Sequence, residues 1–120
     1  MEILLADDDA GTRDLLKRAL ESDGHNVSVA RDGAEAAEII ATDGGRFDLL
    51  IADVDMPGLD GISVAKKARE AQTAIAVVLI SAHESEWERA AGIPGSKVET
   101  RAKPFTLEEI RSAIVKARGG

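Results

Sequence analysis

Several side chains that can bind ions or react as acids, bases or nucleophiles come directly after short strand-like runs of the chain. They are Asp7 and Asp8 after residues 3–6, Asp53 after 49–52, Ser81 after 75–80, and Lys103 after 97–102. Aspartate beside proline and glycine, as at 53–61, is also ordinary turn chemistry. Whether these residues share a site depends on the fold that positions them.

Brought together, these groups would suit phosphoryl transfer. Clustered carboxylates repel one another, and a bound cation keeps them ionised. Oxygen ligands without histidine or cysteine favour Mg²⁺, which prefers carboxylates together with a phosphate group. A carboxylate can attack phosphorus to give an acyl phosphate. Mg²⁺, Lys103 and Ser81 could then each contact one oxygen of the transferred group, because this reaction depends mainly on positioning and charge neutralisation.

The apolar pattern predicts five strand–helix units. Strands are expected at 3–6, 27–31, 49–52, 75–80 and 97–102, and helices at 12–23, 36–41, 61–70, 84–91 and 107–117. Alternation of strands and helices indicates a mostly parallel sheet with helices on both faces. The first, third and fourth strands are apolar throughout, as in strands covered on both sides, whereas the second and fifth alternate. We therefore expect a doubly wound, flavodoxin-like α/β fold with strand order 2-1-3-4-5.

Some polar residues near these runs are better explained as helix caps. Asp9 is expected to cap the first helix rather than to bind a metal ion. Asp60 and Gly61 serve the loop and the start of the third helix in this interpretation. Thr106 and Glu109 have the spacing of a capping box before the last helix.

Length and composition limit the class of protein. The 120 residues, 44% of them apolar, predict one folded domain over 1–120. A net charge of −7 without a basic run argues against direct binding to nucleic acid. The absence of cysteine excludes disulfides and cysteine-based zinc sites. The acidic start is unlike a signal peptide, and the longest apolar run, 74–80, is too short to cross a membrane. We therefore expect a cytoplasmic protein without a membrane partner.

The predicted topology places the candidate residues in one site. In a parallel sheet the carboxyl ends of the strands lie at the same edge, and ligands of open α/β sheets bind there. Chance could place one aspartate at a strand end. Several chemically matched groups at four strand ends are much harder to explain by chance.

Four segments in this order resemble the receiver domain of two-component response regulators over essentially the whole chain. The segments are DD at 7–8, DVDMPGLDG at 53–61, ISA at 80–82 and KPF at 103–105. The resemblance implies that Asp53 is the phosphoacceptor. It also implies a Mg²⁺ site made by Asp7, Asp8, Asp53 and the backbone carbonyl of Asp55, with Asp8 as the more direct ligand of the acidic pair.

The same resemblance implies roles for the remaining residues and for partners. Ser81 would be the switch hydroxyl that moves toward the phosphoryl group, and Lys103, in a cis peptide with Pro104, would pair with that group. The phosphoryl donor would be a sensor histidine kinase or a histidine phosphotransfer protein. Phosphorylation would change the surface of the fourth helix, fifth strand and fifth helix, which binds a downstream protein or forms a homodimer. Catalysis would be limited to the chain's own phosphorylation and dephosphorylation.

Two features depart from the family pattern. Thr100 stands where receivers often carry the aromatic partner of the switch hydroxyl. The predicted fourth helix has few apolar residues and is broken by GIPG at 92–95. We therefore expect the region between the fourth helix and fifth strand to be short, irregular and mobile, and any switching to use another route.

Two alternatives stay open at the level of sequence. A degenerate receiver would act as a constitutive protein-binding adaptor, which the missing aromatic favours and the complete acidic site opposes. A phosphohydrolase is suggested by Asp53-Val54-Asp55, which resembles the nucleophile segment of haloacid dehalogenase phosphatases. That family lacks the upstream acidic pair and needs a longer chain.

Overall fold

Five parallel strands form one sheet in the computed structural model, which describes residues 1–95 and 98–119 and, within 84–87, the backbone alone. The strands are β1 (Glu2–Ala6), β2 (Asn26–Ala30), β3 (Leu49–Asp53), β4 (Ala76–Ser81) and β5 (Val98–Ala102). Their spatial order is β2-β1-β3-β4-β5, with every neighbouring pair parallel. The predicted doubly wound α/β fold and its strand order are confirmed. Lys97, the expected first residue of the fifth strand, lies outside the described residues.

Four α-helices surround the sheet, and side-chain caps fix where they begin. They are α1 (Ala10–Ser22), α2 (Gly33–Asp43), α3 (Gly61–Ala71) and α4 (Leu107–Ala117). Asp9 caps α1 by accepting from the Thr12 N–H, and Asp60 caps α3. Thr106 opens α4 in a capping box, so all three predicted caps are confirmed. Among the described residues, none of these helices has the length and apolar character needed to cross a membrane.

The sheet buries apolar side chains on both faces. One cluster packs β-strand residues such as Leu4, Leu50 and Val77 against α2 and α3. The other packs their neighbours, such as Ile3 and Ile51, against α1 and α4. Successive residues of a strand point to opposite faces, so the apolar runs of β1, β3 and β4 serve both clusters. This two-sided core holds the strand ends, and the polar residues that follow them, in fixed positions.

The predicted fourth helix is a 3₁₀ helix, Glu84–Gly92, rather than an α-helix. Gly95, shortly after the helix, has a φ of +86°, a backbone conformation that suits glycine. Few apolar residues are available there to bury an α-helical face, which explains the change of helix type. The expectation that the region between this helix and the fifth strand is short, irregular and mobile stays a prediction.

Gly61 allows α3 to start directly beside the end of β3. A Cβ atom at this position would lie 2.4 Å from the backbone oxygen of Asp53, which is far inside van der Waals contact. The Gly61 N–H donates to the Val54 carbonyl at 3.3 Å. The absence of a side chain at Gly61 therefore lets the backbone that follows Asp53 fold back tightly against the strand.

Candidate functional site

Asp7, Asp53 and Lys103 meet at the carboxyl edge of the sheet. Asp7 directly follows β1, Asp53 ends β3 and Lys103 directly follows β5. The Lys103 Nζ lies 2.7 Å from Asp53 Oδ2 and 3.4 Å from Asp7 Oδ2. Asp7 and Asp53 are buried, with exposed fractions of 1% and 3%. The parallel topology thus brings together charged residues that are far apart in sequence, as the sequence predicts.

The carboxylates of Asp7, Asp8 and Asp53 fit a divalent cation. Each offers one oxygen, and these oxygens lie within 4.8 Å of one another. The charge of Lys103 cannot neutralise three ionised carboxylates, so the cluster attracts a further cation. Its donors are all carboxylate oxygens, which suit Mg²⁺. Asp8 is exposed, so it forms the open side of the cluster, while Asp7 and Asp53 form its buried side.

The protonation equilibria reflect this crowding. Burial raises the pKa of the Asp7 carboxyl group, and the charge of Asp53 adds to the rise, against the hydrogen bond from the Asp9 N–H and the attraction of Lys103. Burial acts to lower the pKa of Lys103, but the hydrogen bond with Asp53 and the charges of both carboxylates outweigh it and raise that pKa. The lysine therefore stays charged at neutral pH, while burial and the neighbouring charge of Asp53 disfavour the ionised form of Asp7.

Ser81 lies at the end of β4 with its side chain fully buried. Its Oγ accepts the His83 N–H at 2.9 Å. The same Oγ lies 3.1 Å from the His83 carbonyl oxygen and 3.1 Å from Asp55 Oδ2, either of which can accept the hydroxyl proton. Asp55 is exposed, so a solvated carboxylate reaches inward to a buried hydroxyl.

Backbone hydrogen bonds orient the two buried carboxylates. The Asp55 N–H donates to Asp53 Oδ1 at 2.9 Å, and the Asp9 N–H donates to Asp7 Oδ1 at 2.9 Å. In each case the partner lies two residues later, in the loop that leaves the strand. The other oxygen of each carboxylate is the one that faces Lys103. Each loop thus binds one oxygen of its carboxylate, and the other oxygen points toward the lysine.

The cis peptide predicted at Lys103–Pro104 is present. The Lys103 N–H donates to the Ser81 carbonyl at 2.9 Å, which continues the pairing of β5 with β4 beyond the strand. The backbone at Lys103 is therefore tied to the end of the same strand that carries Ser81. Thr100 lies opposite Leu79 in this pair of strands.

Two supporting contacts were not predicted from the sequence. The Arg13 guanidinium donates to the Asp7 carbonyl at 2.8 Å, from the first turns of α1. A helix that starts just after Asp7 makes such a contact foreseeable, since Arg13 is only six residues away. The contact between Ser81 and the Asp55 side chain joins residues 26 apart in sequence, and no pattern in the sequence indicates it.

Comparison with known proteins identifies the family. The sequence model described as the response regulator receiver domain matches residues 3–115. The response regulator MprA of Mycobacterium leprae is 40% identical over 114 residues, which covers 95% of this chain and 49% of MprA. This chain spans about half the length of the curated relatives it matches, as the coverage of MprA shows.

Solved structures agree with this assignment over nearly the whole chain. A response regulator receiver protein from Sinorhizobium medicae is 29% identical with a TM-score of 0.87, covering 100% of this chain and 95% of that one. The response regulator TrrA from Thermotoga maritima, solved in complex with Mg²⁺ and BeF, is 28% identical with a TM-score of 0.81 and 97% coverage of both chains.

Proposed function

The chain belongs to the response regulator receiver domain family, and on this premise we propose that Asp53 accepts a phosphoryl group that switches the domain surface. The observation that carries the proposal is the buried Asp53 carboxylate, 2.7 Å from the Lys103 ammonium and grouped with Asp7 and Asp8. Phosphorylation switching is general to this family. Residues 1–120 form the proposed receiver domain.

In the proposed reaction, a carboxylate oxygen of Asp53 attacks the phosphorus of a phosphohistidine. The new P–O bond forms as the P–N bond breaks, and the imidazole leaves with the electron pair of that bond. Lys103, whose pKa is raised by its carboxylate partners, would neutralise charge on an oxygen of the transferred group. Ser81 supplies a hydroxyl donor from the end of the neighbouring strand.

Asp7, Asp8 and Asp53 are the proposed ligands of Mg²⁺, together with the backbone carbonyl of Asp55. When bound, the ion would neutralise charge on the phosphoryl oxygens. The residues themselves support this assignment, because two of the three carboxylates are buried in contact with a single lysine. Receiver domains bind Mg²⁺ at such an acidic site.

We propose a histidine kinase or a histidine phosphotransfer protein as the donor, since receiver domains take phosphoryl groups from such proteins. The surface that binds a downstream protein, or a second copy of the chain, is proposed to comprise the 3₁₀ segment, β5 and α4. β5 pairs with β4, which ends at Ser81, and Lys103 directly follows β5.

The proposal is tested by intact-protein mass spectrometry after incubation with acetyl phosphate and Mg²⁺. We expect one labile phosphoryl adduct that is absent in Asp53→Asn and absent when Mg²⁺ is chelated. Asp43→Asn, which removes the same charge at the far end of α2, is the matched control and retains the adduct. An unmodified parent protein with a saturated metal site would overturn the proposal and favour a constitutive binding module.

A further inference from the structure

Residue Asp55 contacts both the proposed phosphoacceptor, Asp53, and the proposed switch hydroxyl of Ser81. Its backbone N–H donates to Asp53 Oδ1, and its carboxylate lies 3.1 Å from Ser81 Oγ. One residue therefore contacts both Asp53 and Ser81, from the loop that leaves β3. The role assigned to Asp55 above concerns only its backbone carbonyl, so the carboxylate is unused by the proposed function.

The contacts of Ser81 leave its hydroxyl little freedom. The hydroxyl has one proton to donate, and the candidate acceptors are Asp55 Oδ2 and the His83 carbonyl. Its oxygen already accepts the His83 N–H. A hydrogen bond to an ionised carboxylate is stronger than one to a neutral carbonyl, so Asp55 is the favoured acceptor. For Ser81 to donate to a phosphoryl group on Asp53, it must first give up that bond.

A phosphoryl group on Asp53 would itself promote this exchange. It adds negative charge and strong acceptor oxygens close to the loop that carries Asp55. Repulsion then disfavours the Asp55 carboxylate near the site, and because Asp55 is exposed, its side chain can turn into water. Thr100 offers no aromatic ring to follow the movement of Ser81, so the hydroxyl and its carboxylate partner form the movable pair.

We propose that the Asp55 carboxylate is a positioning residue that holds the Ser81 hydroxyl away from Asp53, and that exchange of this acceptor for the phosphoryl group sets how readily the domain switches. The inference rests on the proposed function, since it assumes that a phosphoryl group forms on Asp53. It goes further because it names one side chain, that of Asp55, as the group that opposes movement of the Ser81 hydroxyl toward Asp53.

The test compares Asp55→Ala and Asp55→Asn in titrations with beryllofluoride at saturating Mg²⁺, with beryllofluoride as the phosphoryl stand-in. Both variants remove the charge, but only asparagine keeps an oxygen acceptor for Ser81. We expect the alanine variant to bind about threefold to tenfold more tightly than the asparagine variant, the ratio for one hydrogen bond. Equal affinities of the two variants would overturn the proposal. Asp43→Asn, the distant charge control, should bind like the parent.

A Ser81→Ala background separates release of the hydroxyl from every other effect of the substitution. Without the hydroxyl, Asp55→Ala and Asp55→Asn should bind beryllofluoride equally, even though the affinity of both falls. A ratio that persists in this background would show that the alanine effect does not pass through Ser81, and it would overturn the proposal.

A direct readout keeps this inference distinct from the proposed function. NMR scalar couplings report the χ1 rotamer of Ser81 without Mg²⁺ or beryllofluoride. We expect one rotamer in the parent and averaging in Asp55→Ala. An unchanged single rotamer in Asp55→Ala would overturn the positioning role even if Asp53 is phosphorylated. Conversely, a parent that binds no beryllofluoride would overturn the proposed function and the acceptor exchange, while the rotamer change would still establish the contact.

Discussion

Ion pairs occur at both edges of the sheet, but they differ in burial. At the carboxyl edge, the side chains of Asp7 and Asp53 have exposed fractions of 1% and 4% and share Lys103. At the amino edge, Arg46 pairs with Glu2 and Asp43, and each of these three side chains has an exposed fraction of 30% or more. The Arg46 guanidinium also lies 4.3 Å from the centre of the Phe47 ring.

Burial determines how much the ion pairs at each edge contribute to stability. Exposed ion pairs are worth little because water and salt screen the charges. Buried charges that lack full compensation cost free energy, and a fold keeps them where they perform a function. At both edges one cationic residue faces two carboxylates, but the carboxylates are buried at the carboxyl edge and exposed to water at the amino edge. We therefore expect opposite responses at the two edges to the same kinds of change.

The largest expected effect is the response to Mg²⁺. Binding to the folded state alone should raise the free energy of unfolding by about 2.7 kcal/mol at a hundredfold excess over the dissociation constant. Asp8→Asn should lose most of this response, since the exposed Asp8 is a proposed ligand. Urea denaturation with and without Mg²⁺ measures the effect. Asp43→Asn, at the amino edge, should keep the stabilisation by Mg²⁺ seen in the parent. Loss of this stabilisation in Asp43→Asn would show that the two edges do not differ in Mg²⁺ binding.

Replacing the basic residue at each edge should lower the free energy of unfolding by unequal amounts. Lys103→Met leaves two buried carboxylates unpaired, so without Mg²⁺ it should lower the free energy of unfolding by about 2 kcal/mol. This is less than for a fully buried pair because 24% of the lysine side chain is exposed. Arg46→Met is the matched control and should cost clearly less. Denaturant unfolding at pH 7 decides, and equal losses would remove the distinction between the edges.

Removal of an anion should have opposite signs at the two edges. Asp7→Asn relieves repulsion with Asp53, so without Mg²⁺ it should raise the free energy of unfolding by about 1 kcal/mol. Glu2→Gln removes an attractive partner of Arg46 and should lower it slightly. Thermal unfolding in a chelating buffer compares the two variants. A destabilised Asp7→Asn would mean that its pairing with Lys103 outweighs the repulsion.

The smallest expected effect is a pH dependence of the exposed pair of Asp23 and Arg111. The hydrogen bond from Arg111 lowers the pKa of Asp23 below its ordinary value. The stabilisation by this pair is therefore complete above the unfolded pKa, about 4, and is lost as pH falls through the folded pKa. The stability difference between parent and Asp23→Asn should therefore be constant above about pH 4 and shrink as the pH is lowered further. A difference that does not vary with pH would show that the pair contributes nothing measurable.

The architecture and the chemical groups of the site can be predicted from the order of residues along the chain. Fully apolar runs marked β1, β3 and β4 as central strands, and the positions of Asp7, Asp53, Ser81 and Lys103 after strands placed them at one edge. The caps at Asp9, Asp60 and Thr106 were also readable, because capping depends on local spacing. Local periodicity and the contrast between fully apolar and alternating strands are enough for these conclusions.

The helix type at Glu84–Gly92 and the contacts inside the site depend instead on tertiary packing. The sequence predicted a weak helix there, but the choice of a 3₁₀ helix depends on what the segment can bury against the rest of the domain. The contact of Asp55 with Ser81 depends on the exact approach of two loops from different strands. Hydrogen bonds act over about 3 Å, so such contacts follow from packed positions that no spacing along the chain encodes.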